Sequence, residues 1–80
     1  MTIVEFTEFL VTHLAKEEDM IKVKDYETEE GLIIDILVPE SDMGRVIGKR
    51  GKIANSIKSL IQAKAYNDGV KNVKVNIDSF

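Results

Sequence analysis

Ten residues in the middle of the chain, Gly44-Arg45-Val46-Ile47-Gly48-Lys49-Arg50-Gly51-Lys52-Ile53, constrain its fold more than any other stretch. Two glycines three positions apart interrupt a helical pattern and enclose two cations. Glycine accepts the backbone conformations that helix ends often need, so Gly48 stops one helix and another begins after Gly51. The chain must therefore contain two helices that meet at a short loop with no side chain at either end. Such a loop suits a long, thin anion. A sugar-phosphate backbone can approach the main chain at bare glycines, while the second helix directs free N–H groups and the positive end of its dipole to the same spot. Lys49, Arg50 and Lys52 add mobile charge for the phosphates.

The flanking sequence places this loop in an α-β-β-α-α-β order. Thr2 and Glu5 form a capping box, and Ile3, Phe6, Leu10 and Leu14 follow at helical spacing, which predicts an amphipathic helix over residues 2–17 with Lys16 at its end. Met20 to Glu27 alternates, with Ile21 and Val23 on one face and Lys22 and Lys24 on the other, as a half-exposed strand does. Glu29-Glu30-Gly31 reads as a turn. Leu32 to Val38 is apolar on both faces apart from Asp35, which predicts a central strand covered on both sides, ended by Pro39. Ser41 or Asp42 is expected to cap a short helix through Ile47. Ile53, Ile57, Leu60 and Ile61 form the stripe of the long helix, with Lys52, Lys58 and Gln62 outward. Asn67-Asp68-Gly69 closes that helix, and Val70 to Asp78 is the last strand, with Val73, Val75 and Ile77 inward. An α+β fold with the helices on one face of a three-stranded sheet buries every stripe.

Composition narrows the function. Eighty residues give a single domain, residues 1–80, and room for one core. There is no cysteine, which excludes disulfides, thiolate metal sites and thiol nucleophiles. No signal-like segment and no apolar run long enough for a membrane span is present, so a cytoplasmic protein is expected. The net charge of −3 argues weakly against nucleic acid, but the charge is unevenly spread. Residues 1–40 carry three lysines against eleven carboxylates, and residues 41–80 carry eight cations against three. A chain so divided can be acidic overall and still present a basic face.

Val46-Ile47-Gly48-Lys49-Arg50-Gly51-Lys52-Ile53 resembles the core signature of KH domains: an apolar pair, Gly-x-x-Gly, then an apolar residue two positions on. The element order resembles the type II arrangement, and the size resembles the small stand-alone bacterial KH proteins of the KhpA type. The resemblance implies single-stranded RNA as ligand, with the loop clamping about four backbone nucleotides. It further implies that Gly44, Arg45 and Ile47 line the helix side of a base groove, Ile53 its floor, and Ile33 or Ile34 the strand side. An aliphatic groove without an aromatic platform lacks the stacking that is worth about 1–3 kcal/mol per base, so loose sequence preference is expected. The family resemblance also implies a homodimer, or a heterodimer with a larger KH-containing protein, and a role as post-transcriptional regulator or RNA chaperone. Ile61, Ala65 and Tyr66 are candidate dimer contacts, or else they complete the core. A protein-interaction module is accordingly the competing function.

Other sites fail on spacing. A P-loop needs four residues between its glycines, whereas Gly44 and Gly48 enclose three, and Lys49 is followed by Arg50 rather than Ser or Thr. A dinucleotide fingerprint lacks its further glycine and its parallel unit. His13 is the only histidine and has no ligand partner nearby, so no metal, cofactor or small-molecule substrate is expected. No nucleophile, base and oxyanion donor assemble, so the chain is not expected to be an enzyme. Asp35, odd in an apolar strand, is either a satisfied strand residue or a reader of base edges.

Overall fold

The computed structural model describes residues 1–80. Helix α1 spans Ile3–Thr12, strands β1 and β2 span Lys22–Thr28 and Gly31–Val38, the short helix α2 spans Met43–Ile47, α3 spans Lys52–Asn67, and β3 spans Val73–Ser79. Short 3-10 turns at Glu18–Met20, Glu40–Asp42 and Lys49–Gly51 join them. The expected order and class are therefore observed.

The sheet runs β1-β2-β3, with β1 and β2 antiparallel and β2 and β3 parallel. The antiparallel pair is joined by the tight Glu29-Glu30 turn. The parallel pair needs a crossover, which α2, the glycine loop and α3 supply. The loop is thus part of the connection on which the topology depends.

The core lies between the sheet and the helices and is built from Val11, Leu32, Ile34, Ile36, Val38, Val46, Ile57, Ile61 and Val75. Burial in β2 alternates strictly, with Leu32, Ile34, Ile36 and Val38 buried and Ile33, Asp35 and Leu37 half-buried. The central position of β2 is as expected, but its cover is one-sided. Its apolar residues on the second face, Ile33 and Leu37, are only half-buried.

Strand β1 starts at Lys22 rather than Met20, which lies in the Glu18–Met20 turn. Two further boundaries and one helix face differ from the sequence reading for tertiary reasons. Helix α1 ends at Thr12, not 17: the N–H groups of Leu14 and Ala15 both turn to the carbonyl of Val11, at 3.0 Å each. The next two N–H groups, of Lys16 and Glu17, are taken by the carboxylate of Asp42. Strand β3 starts at Val73 because Gly69 and Val70 are occupied in closing α3. Their N–H groups bond to the carbonyls of Tyr66 and Ala65, at 3.1 and 2.8 Å, which is the Schellman pattern. On α3 the buried positions are Ala54, Ile57, Ile61 and Ala65, so the packed stripe is rotated from the expected one and Leu60 is exposed. Two small alanines, one near each end of the helix, thus share the packed face with Ile57 and Ile61.

Candidate nucleic-acid interface

The loop Gly48-Lys49-Arg50-Gly51 owes its shape to three positive φ values. Gly48 sits at φ 75°, ψ 179° and Gly51 at φ 74°, ψ 13°, and between them Arg50 adopts φ 59°, ψ 25°. Arg50 is the only non-glycine residue of the chain with positive φ. A side chain in that region costs about 1–2 kcal/mol, and such strain persists where the surroundings over-determine it. The N–H of Gly51 bonds to the carbonyl of Gly48 at 3.3 Å, which folds the loop into a tight turn. Beneath it lies Ile53: a Cβ on Gly48 would stand 2.6 Å from its Cγ1.

The residues expected to meet the phosphates are brought together. Lys49, Arg50 and Lys52 are exposed around the turn, and Gly51 is the N-cap of α3 with no side-chain capping bond. The first N–H of this 16-residue helix, that of Lys52, bonds to the Lys49 carbonyl in the loop, and no side chain caps those that follow. Gly44 is exposed, and Ile47 and Ile53 are half-buried at the edges of α2 and α3.

Arg45 is placed differently from the rest. Its Nη1 folds back along α2 and donates to the carbonyl of Ser41 at 3.1 Å and to Asp42 Oδ1 at 3.2 Å. Asp42 is correspondingly not the side-chain cap of α2 that its position suggested. Its Oδ1 and Oδ2 accept the N–H groups of Lys16 and Glu17, at 3.0 Å each, across the fold. These N–H groups, Glu17 first, hold its carboxyl below the usual aspartate range; burial opposes them and the charge of Arg45 assists.

The strand side of the groove is the feature that sequence reasoning missed. Ile34 is buried on the helix face, and Ile33 is on the opposite face of the sheet. The concave surfaces lie instead between α3 and the edge strand β3. One, of about 410 Å³, is lined by Lys58, Val75, Asn76, Ile77 and Asp78 together with Asp35, Ile36 and Leu37. Another, of about 640 Å³, lies toward the end of α3 and is bordered by Gln62, Tyr66, Lys71, Val73 and Lys74 among others. Lys58 stands two turns of α3 beyond Gly51, about 10 Å along the axis. A sequence signal existed: the alternation of β3 leaves Lys74 and Asn76 outward. What sequence did not reveal is that this strand, rather than β2, is the sheet edge beside α3. Asp35 Oδ1 accepts from Asn76 Nδ2 at 3.0 Å, so it is a satisfied strand residue.

Of the three candidate dimer contacts, Ile61 and Ala65 are 0% and 1% exposed and are spent in the intramolecular core, whereas Tyr66 is 76% exposed. His13 keeps its ring against Phe9, with centroids 4.3 Å apart, and pairs through Nδ1 with the Phe9 carbonyl at 2.7 Å. No helix is long and apolar enough to cross a membrane.

An α-β-β-α-α-β chain whose central helices meet at a Gly-x-x-Gly turn is a KH domain of type II. The family model described as KhpA/KhpB, KH domain, matches residues 4–77, and the chain belongs to that family. It is 40% identical over 62 residues to the RNA-binding protein KhpA of Borreliella burgdorferi, spanning 78% of this chain and 76% of that protein. It is 33% identical over 69 residues to the RNA-binding protein KhpA of Clostridium perfringens, spanning 86% and 92%. Among solved structures, a crystal structure of Aquifex aeolicus Era superposes with a TM-score of 0.68 at 20% identity, covering 98% of this chain and 30% of Era. That likeness is one of fold. The family's names describe binding proteins, not enzymes.

Proposed function

We propose that this protein binds single-stranded RNA with low sequence selectivity. In this reading residues 1–80 act as one KH unit, with the Gly48–Gly51 loop and the start of α3 holding the phosphates. The bases lie along the cleft between α3 and β3. The observation that carries the proposal is Arg50, a cation held at φ 59° between two glycines that also have positive φ. Strain is retained there where exposed lysines and a helix N-terminus without a side-chain cap converge, as a phosphate clamp requires. The names of the relatives point the same way. The free edge of β3 adds alternating N–H and C=O groups that can pair with base edges, and backbone pairing of this kind discriminates weakly. A grip on phosphates carries no sequence information. Such a protein suits a post-transcriptional regulator or RNA chaperone in the cytoplasm.

Replacing Lys49 and Arg50 together with Asp tests this reading by fluorescence anisotropy with a mixed pool of short RNAs. Loss of binding in a folded variant is expected; unchanged affinity would refute the clamp.

A second reading is favoured by exposed apolar groups. Leu60 and Tyr66 on α3 and Phe9 on α1 remain open. They suit self-association or pairing with a larger KH-containing protein, and two joined weak RNA sites gain avidity. Sedimentation at micromolar concentration decides whether a homodimer exists; a strict monomer removes it.

A further inference from the structure

Asp42 is the one acidic residue that is completely buried, at 0% exposure. Its position at the first turn of α2 gives this burial a consequence for the loop. Oδ1 and Oδ2 accept the N–H groups of Lys16 and Glu17, each at 3.0 Å and each about 25 residues earlier in the chain. Arg45 Nη1 adds a contact to Oδ1 at 3.2 Å, and Ser41 Oγ donates to Glu17 Oε2 at 3.0 Å. The start of α2 is thus laced to the segment between α1 and β1.

Helix α2 needs such an anchor. Five residues cannot sustain a helix alone, and no side chain caps it. Only Val46 of its residues is fully buried, with Met43 packed partly against the same core. With so little buried surface, the helix depends on the fixed point that Asp42 supplies at its start. The far end of α2 is Gly48, so any swivel of the helix moves the loop directly.

The chemistry of the latch is specific to a carboxylate. Both donors are backbone N–H groups, so two acceptor oxygens are required, and an asparagine would turn an NH2 donor toward one of them. The Arg45 guanidinium, 3.2 Å from Oδ1, offsets the charge of the carboxylate.

We propose that Asp42 is a positioning residue for RNA binding: its buried carboxylate fixes the orientation of α2, and with it the Gly48–Gly51 loop and Arg45, without touching RNA. The inference rests on the RNA-binding reading above. Coupling of this kind is reciprocal, so RNA held by the loop must in turn tighten the latch.

Two measurements test it. The first compares Asp42→Asn with wild type against the same mixed pool of short RNAs, across a range of salt. Binding weaker by roughly tenfold is expected, with a salt slope shallower by about 0.7 as one phosphate contact is lost. Reduced stability alone would lower the folded fraction and leave that slope unchanged. The second needs no variant: hydrogen exchange at the Lys16 and Glu17 amides of the wild-type protein should slow further on saturation with RNA. Wild-type affinity and slope in folded Asp42→Asn, or unchanged protection of both amides, overturns the positioning role. If wild type itself fails to bind the pool, the RNA-binding reading falls and this role falls with it. If wild type binds and the variant matches it, the positioning role falls alone.

Discussion

Within the glycine loop the two glycines do unequal work. A methyl group on Gly48 would stand 2.6 Å from Ile53 Cγ1, in a backbone region that is essentially closed to other residues. A methyl group on Gly51 meets nothing within 4 Å and faces only the left-handed penalty. Gly48→Ala should therefore cost about 3 kcal/mol in urea unfolding. Gly51→Ala should cost about 1 kcal/mol. Equal costs would contradict the close packing of Ile53 beneath the turn. Arg50→Gly separates stability from function. Relief of about 1 kcal/mol of strain is offset by the greater freedom of glycine in the unfolded chain. Its melting temperature should stay within a few degrees of wild type while RNA affinity falls. Acid should weaken the fold through Asp42. Its carboxyl is held below the value it has in the unfolded chain, so the stability it confers is complete above that ordinary value, about pH 4, and is lost as pH falls through the folded-state value. Urea titrations should show a falling acid limb in wild type and a flatter one in Asp42→Asn.

At the scale of elements, boundaries set by adjacent residues were legible and those set by remote ones were not. The capping box at the head of α1 is present as its spacing predicts: Thr2 N–H donates to Glu5 Oε1 at 2.8 Å and Glu5 N–H to Thr2 Oγ1 at 3.1 Å. Thr2→Ala should cost about 1 kcal/mol, measured by thermal unfolding at neutral pH. The carboxyl of Glu5 is lowered chiefly by the Thr2 N–H, so this cap also weakens in acid. The end of α1 was not legible, because the residue that diverts its N–H groups is Asp42, far along the chain. Similarly, Leu60 fits the apolar spacing of α3, but the face that packs runs through Ala54 and Ala65 instead. Alanine is ambiguous in a pattern; only contact shows that its smallness is used.

For the molecule as a whole, the split of charge along the chain does not become a simple division of faces. Glu17 and Glu40 both lie beside the start of α2, Glu40 in the turn that precedes it and Glu17 bonded to Ser41 across the fold. The basic end is therefore compact, consisting of Lys49, Arg50 and Lys52 around the turn and Lys58 further along α3. If the first three contact phosphates, log K for single-stranded RNA should fall with log salt at a slope of about −2. A salt-independent affinity would instead indicate that the surface is used for protein partners.

The sequence by itself determined the α-β-β-α-α-β order, the capping box, the end of β2 at Pro39 and the position of the loop, because each depends on neighbours within a few residues. Gly48 and Gly51 were legible for the same reason: backbone freedom belongs to the residue. Tertiary structure alone decided which strand borders α3, that Ile61 and Ala65 belong to the core, and that Asp42 leaves its own helix to bind the chain after α1. These outcomes depend on which groups compete for the same N–H or the same buried volume. Residues that compete in this way are brought together by the fold and are remote in sequence.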